Sequence, residues 1–196
     1  MTDKKQNNIS GFKVFLIVFL CIVINFIGKS FADKCSLPMW MDAFGTVYSA
    51  YVLGPVCGAV VGATNNIVYS FWNPMSLAYG ITSVAIGILV GIASRKNYFS
   101  TLFRAMSLAG NITIVSVGIS TVLNLIFYAE NTGNLWGDGV RDFLIEKGVI
   151  RIIACIIGEL YLDFLDKLVT IMAMFIMIRI CKHIKIHKNN KIYDRM

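Results

Sequence analysis

A chain of 196 residues that is 57% hydrophobic and only 15% charged has too few polar side chains to coat a soluble globule, so its composition excludes a separate water-soluble domain. The net charge of +7 is not spread as on a nucleic-acid-binding surface; it gathers at Lys4 and Lys5, at Arg95, Lys96 and Arg104, and from Arg179 through Arg195. Short basic patches beside apolar runs are the mark of cytoplasmic membrane loops, and no nucleic-acid partner is expected.

In chain order, the apolar runs predict a first helix over 12 to 28 and a second over 37 to 53. A reversal at Gly54 and Pro55 leads into a third helix to about residue 72, because proline suits a first helical position and glycine accepts whatever φ the turn needs. A fourth follows over 76 to 93, a fifth over 102 to 128, and a last ends near residue 181. The fold class expected is an all-α integral membrane protein, a six-transmembrane-helix bundle forming one membrane domain over 1–196. Its parts are a cytoplasmic N-terminus (1–11), the bundle (12–181) with an outer loop (129–148), and a basic cytoplasmic tail (182–196). Both termini inside the cell membrane would put all three basic patches on one face and leave the outer loop acid-rich, with Glu130, Asp138, Asp142 and Glu146 against Arg141 and Lys147. Residues 1–32 also resemble a cleavable signal peptide, with Ser30, Phe31 and Ala32 after the apolar run, but further membrane helices follow.

The last apolar stretch exceeds the ~20 residues of one crossing. Counting back from its end sets the outer boundary near Asp163 and leaves 149 to 161 as a helix packed over the outer mouth. Glu159, Asp163, Asp166 and Lys167 then share a stripe of adjacent turns. Ionisable groups at this depth are costly, and they face a partner, a pocket or water. Two readings stay open, an internal ion-pair cluster with snorkelling at the boundary and the polar wall of a ligand site.

Asp42 beside Trp40, Asn65 and Asn66, Trp72, and Trp136 in the outer loop converge on the same level. Singly, the tryptophans suit an interfacial belt, the asparagines suit interhelical hydrogen bonding, and Asp42 suits pairing with Lys167. Together they describe a concave pocket with a few polar groups among aromatic walls, and all ten residues are taken as candidate substrate contacts. Gly54, Gly58 and Gly62, with Gly87 and Gly91, recur every fourth position and let helices approach closely, either within the bundle or as a docking face for another membrane subunit.

Enzyme chemistry is not expected. The five cysteines form no C-x-x-C pair, His183 and His187 lie in the basic tail without nearby carboxylates, and neither metal nor cofactor is implied. Gly28-Lys29-Ser30 imitates the end of a phosphate loop, but the first glycine required falls on Val23. Asp163 and Asp166 share one helix and leave no separate nucleophile.

The run Leu37-Pro38-Met39-Trp40-Met41-Asp42-Ala43-Phe44-Gly45-Thr46, the stretch from Tyr51 to Asn66 with its Gly-Pro turn, and the block Asp163-Phe164-Leu165-Asp166-Lys167 resemble substrate-binding S components of energy-coupling factor (ECF) transporters. The resemblance implies a six-helix bundle that captures a vitamin or related micronutrient in its outer half. Its partners would be membrane lipid, a coupling transmembrane protein and two ATPases. The small-x-x-x-small surface of such a first helix is absent here, where 12 to 28 is bulky, and so is the N-terminal histidine of the metal-specific branch. Two other classes remain: a non-transporting sensor or scaffold of similar fold, which would not need the acids, and a cation-coupled secondary transporter, which would usually carry internal repeats.

Overall fold

A computed structural model describes residues 10–127 and 133–193, and within them the chain is entirely helical apart from turns. The elements are α1 (Gly11–Lys34), α2 (Phe44–Leu53), α3 (Pro55–Tyr69), α4 (Met75–Arg95), α5 (Leu102–Phe127), α6 (Leu135–Glu146) and α7 (Arg151–Tyr193). Lys4, Lys5, Glu130 and Arg195 lie outside the described residues. α1, α4 and 102–124 of α5 are long and apolar enough to cross a bilayer, which makes this a membrane-embedded protein.

Three boundaries differ from expectation. α1 runs on to Lys34, past the expected end at 28, which carries Lys29 and Asp33 onto a helix. The second helix begins at Phe44 rather than 37 and is only 10 residues long. Residues 35–43 form a connection instead: Pro38 disfavours helix for the residue before it, and Ser36 and Met41 hold φ of 48° and 53°, where a regular helix cannot pass. α7 is one continuous helix of 43 residues that starts at Arg151 rather than 149, takes in 151–161 and runs on beyond the expected end near Cys181. The amphipathic helix lying beside its first turns is α6, within the expected outer loop.

The α2–α3 reversal is as the sequence requires. Gly54 takes φ of 102°, open to glycine alone, and Pro55 starts α3. The glycines beyond it serve contact inside the bundle. A Cβ on Gly58 would meet Gly87 at 3.1 Å, one on Gly62 would meet the Ser83 carbonyl oxygen at 2.7 Å, and Gly91 lies against Pro55. Lipid gives helices no hydrophobic drive to associate, so close backbone approach supplies the van der Waals contact that holds α3 to α4. Gly54 makes the turn, Gly58 meets Ala50 of α2 as well as Gly87, and Gly62, Gly87 and Gly91 bring α3 and α4 together, so these glycines make contacts inside the bundle.

Asn25 fixes α1 to the start of α2. Its Oδ1 accepts from the Gly45 amide at 2.6 Å and its Nδ2 donates to Thr46 Oγ1 at 2.9 Å, with the asparagine fully buried.

Each long helix is divided along its axis. Toward the α4–α5 turn the buried residues are apolar: Val47 and Ala50 of α2, Ile86 and Val90 of α4, Leu108 and Ile112 of α5, Ile171 and Met174 of α7. Toward the α6 end Leu123, Ala154 and Leu162 are buried together with many polar groups, including Ser76, Thr82, Ser116, Ser120, Glu159, Asp163 and Lys167. The apolar half closes the bundle, and the polar half leaves room.

A polar cavity as candidate functional site

That room is a cavity of about 340 Å³, near the lower end of small-molecule pockets. Five helices supply its walls, each through one stripe. α1 gives Lys29, Ala32 and Asp33; α3 gives Asn66 and Tyr69; α4 gives Ser76, Tyr79, Thr82, Ser83 and Ile86. α5 gives Ser116 and Ser120, and α7 gives Glu159, Asp163 and Lys167. Spacings of three and four residues explain why these side chains share a face. The connection (Ser36, Trp40, Asp42) and the start of α6 (Asn134, Leu135) line the remaining end.

Two hydrogen bonds tie those end pieces together: Asn134 Nδ2 donates to the Leu37 carbonyl at 2.9 Å, and Trp136 Nε1 donates to the Ser36 carbonyl at 2.7 Å. Asn134 also caps α6 by accepting from the Trp136 amide. Close contact of Gly137 with Gly158 seats α6 on α7.

The charges fall into two groups. On α7, Lys167 Nζ sits 2.7 Å from Asp166 and 3.3 Å from Asp163, all three buried. Ser116 Oγ donates to the other Asp163 oxygen at 2.6 Å. Glu159, one turn away, accepts from Asn124 Nδ2 at 2.8 Å, and Asn124 in turn accepts from the Tyr79 hydroxyl. On the opposite wall Lys29 pairs with Asp42 at 3.6 Å and lies 4.3 Å from the centre of the Tyr69 ring, while the Tyr69 hydroxyl donates to Asp33.

Of the ten candidate contacts, Trp40, Asp42, Asn66, Glu159, Asp163 and Lys167 line the cavity. Four do not. Asp166 turns one position off the Glu159–Asp163–Lys167 stripe; its second oxygen accepts from the Met41 amide at 2.7 Å, so it holds the connection in its left-handed turn. Asn65 is buried outside the cavity lining, and among the described residues its amide has no hydrogen-bond partner, neither a cavity contact nor interhelical glue. Trp72 lies beyond α3, 69% exposed, with its ring 5.6 Å from that of Phe26. Trp136 joins Phe143, Leu144 and Ile157 in an apolar groove on α6 and α7. Asp42 pairs with Lys29, not Lys167. The connection folds back over α1, where Gly28 has no Cβ to obstruct the Met41 carbonyl, and this delivers Asp42 to Lys29.

Sequence reasoning missed Lys29, Asp33, Tyr69, Tyr79, Thr82, Ser116, Ser120 and Asn124. A signal was present in Ser116, Ser120 and Asn124, a polar i, i+4, i+8 stripe inside an apolar run. Lys29 and Asp33 were concealed by ending α1 too early.

Among the described residues no cluster of three His, Cys, Asp or Glu side chains has metal-site geometry. The arrangement suits capture of a small polar molecule. Fold and cavity together define an all-α, membrane-embedded protein with a polar internal pocket. Comparison with family models, curated proteins and solved structures finds no match.

Proposed function

We propose that this chain is the substrate-binding subunit of an ECF-type uptake transporter, a six-pass protein of the cell membrane with both termini cytoplasmic. It captures a vitamin or related micronutrient in the outer half of its bundle. The observation that carries this reading is the position of the cavity, at the end of the bundle opposite the cluster of Arg95, Lys96, Arg104 and Arg179. Arg95, Lys96, Arg104 and Arg179 gather at the other end, where Arg179 donates to the Ser100 carbonyl and Arg95 lies beside the Gly54 turn. By the positive-inside rule that end is cytoplasmic, and the cavity faces out. The six-pass reading counts α2 with its connection, α3 and α7 as crossings beside the three long apolar helices α1, α4 and α5.

Topology is checked by single cysteines in a cysteine-free background. Glu146→Cys, exposed on α6, is expected to react with an impermeant maleimide in intact cells, and Lys96→Cys only after permeabilisation. The reverse pattern overturns the orientation.

Because the chain has no phosphate loop, energy for uptake comes from partners. Affinity purification of the full chain from its native membrane is expected to recover one integral membrane partner and two ATPase subunits. Recovery of the folded chain without any ATPase overturns the transporter assignment and favours the sensor or scaffold class.

A further inference from the structure

The cavity's charges do not balance. Among the described residues the lining carboxylates are Asp33, Asp42, Glu159 and Asp163, and Asp166 shares Lys167 from behind, so five acids stand against two ammonium groups, Lys29 and Lys167. Lys29 is committed to Asp42 and the Tyr69 face, and Lys167 to Asp163 and Asp166. Neither lysine is left over for an anionic ligand. Asp33 and Glu159, in contrast, accept only from neutral groups, the Tyr69 hydroxyl and the Asn124 amide. Of these two, Asp33 lies on the wall that already carries Lys29, whereas Glu159 is 4% exposed and lacks an ion-pair partner among the described residues. A carboxylate out of water and without a counter-charge is costly to keep ionised, and a bound cation removes that cost.

A second, independent feature points into the same space. Thr82 lines the cavity one turn along α4 from Tyr79, is 7% exposed, and its hydroxyl has no hydrogen-bond partner among the described residues. A buried hydroxyl left unpaired destabilises a fold unless something else satisfies it.

Resting on the reading of this cavity as the substrate site, we propose that it selects a small organic cation: a protonated amine or N–H-bearing cationic ring whose positive end pairs with Glu159 and whose polar body hydrogen-bonds Thr82 Oγ1. Ser116, Ser120 and Tyr79 line the wall between these two anchors, and the 340 Å³ volume limits the ligand to small molecules. Anions are rejected because they would meet carboxylates while both lysines of the described lining are already engaged.

The test uses purified full-length chain and fragments matched in ring but not in charge: benzylamine, benzyl alcohol and benzoate, and tryptamine, tryptophol and indole-3-propionate. Calorimetric titration is expected to show binding by the amines alone. Glu159→Gln, whose amide oxygen can still accept from Asn124, is expected to weaken the amines roughly ten- to a hundredfold, whereas Glu146→Gln on α6 leaves them unchanged. Thr82→Val is expected to weaken amine binding while the unliganded melting temperature holds or rises; a merely structural hydroxyl would give the opposite pair of changes. Equal or tighter binding by the alcohols or acids overturns the cation assignment and leaves the cavity as a substrate site. Amine affinity unaltered in both Glu159→Gln and Thr82→Val also overturns it. No binding by any fragment at millimolar concentration removes the cavity as a ligand site, and the proposed function with it.

Discussion

Lys167→Met is expected to lower the melting temperature of the purified protein more than any other single replacement around the cavity. Methionine keeps the length and most of the volume of the lysine stem, so the lost quantity is charge. Lys167 is 4% exposed, and its ammonium faces Asp163 and Asp166, which are 3% and 1% exposed. Removing one partner of a buried pair strands the other, at about 3 to 5 kcal/mol. For a chain of this size that corresponds to a fall of about 6 to 20 °C. Adding Asp166→Asn is expected to restore part of the loss, because the amide is neutral and its oxygen still accepts from the Met41 N–H. A wild-type melting temperature for Lys167→Met would show that the two carboxylates do not depend on this ammonium. Asp166→Asn alone is expected to be the milder change, since Lys167 retains Asp163.

Gly87→Ala is expected to destabilise the fold by about 1 to 3 kcal/mol, the usual range for overpacking, with a fall of about 2 to 12 °C. The added Cβ would lie 2.5 Å from the Ala59 nitrogen and 2.7 Å from the Gly58 oxygen. Backbone atoms of a packed helix cannot rotate aside as a flexible side chain can, so α3 and α4 must separate. Gly110→Ala on α5 is the control. Its Cβ would meet nothing within 4 Å, and replacing a glycine in a helix interior gains about 0.5 to 1 kcal/mol. Opposite signs for the two variants would establish that the glycine spacing on α4 serves internal packing. If Gly87→Ala kept its melting temperature and lost a membrane partner, the spacing would be a docking face after all.

Much of the architecture was legible because the bilayer imposes it. A 57% hydrophobic chain with its charges confined to short patches cannot be a soluble domain, and the Gly54-Pro55 reversal and the long apolar runs of α1, α4 and α5 follow from local chemistry. Asp163 and Lys167 stood out as well, since a charge four residues from its opposite inside an apolar helix has few uses. These are local properties, set by propensity, φ restriction and transfer energy within a few residues, and they do not depend on what packs alongside.

Tertiary structure alone decided where the polar groups meet. The connection over 35–43 reads as apolar helix, yet it folds back over α1 because Gly28 admits the Met41 carbonyl and because Asp166, 125 residues away, accepts the Met41 amide. That single arrangement gives Asp42 to Lys29, leaves Lys167 to its own helix, and turns Asp166 from the cavity to the connection. The packing of α4, α5 and α7 pairs Glu159 with the Asn124 amide and, among the described residues, gives the Thr82 hydroxyl no partner. No window of sequence contains both ends of such a contact, and a hydrogen bond between distant groups is chosen by geometry that only the packed helices create.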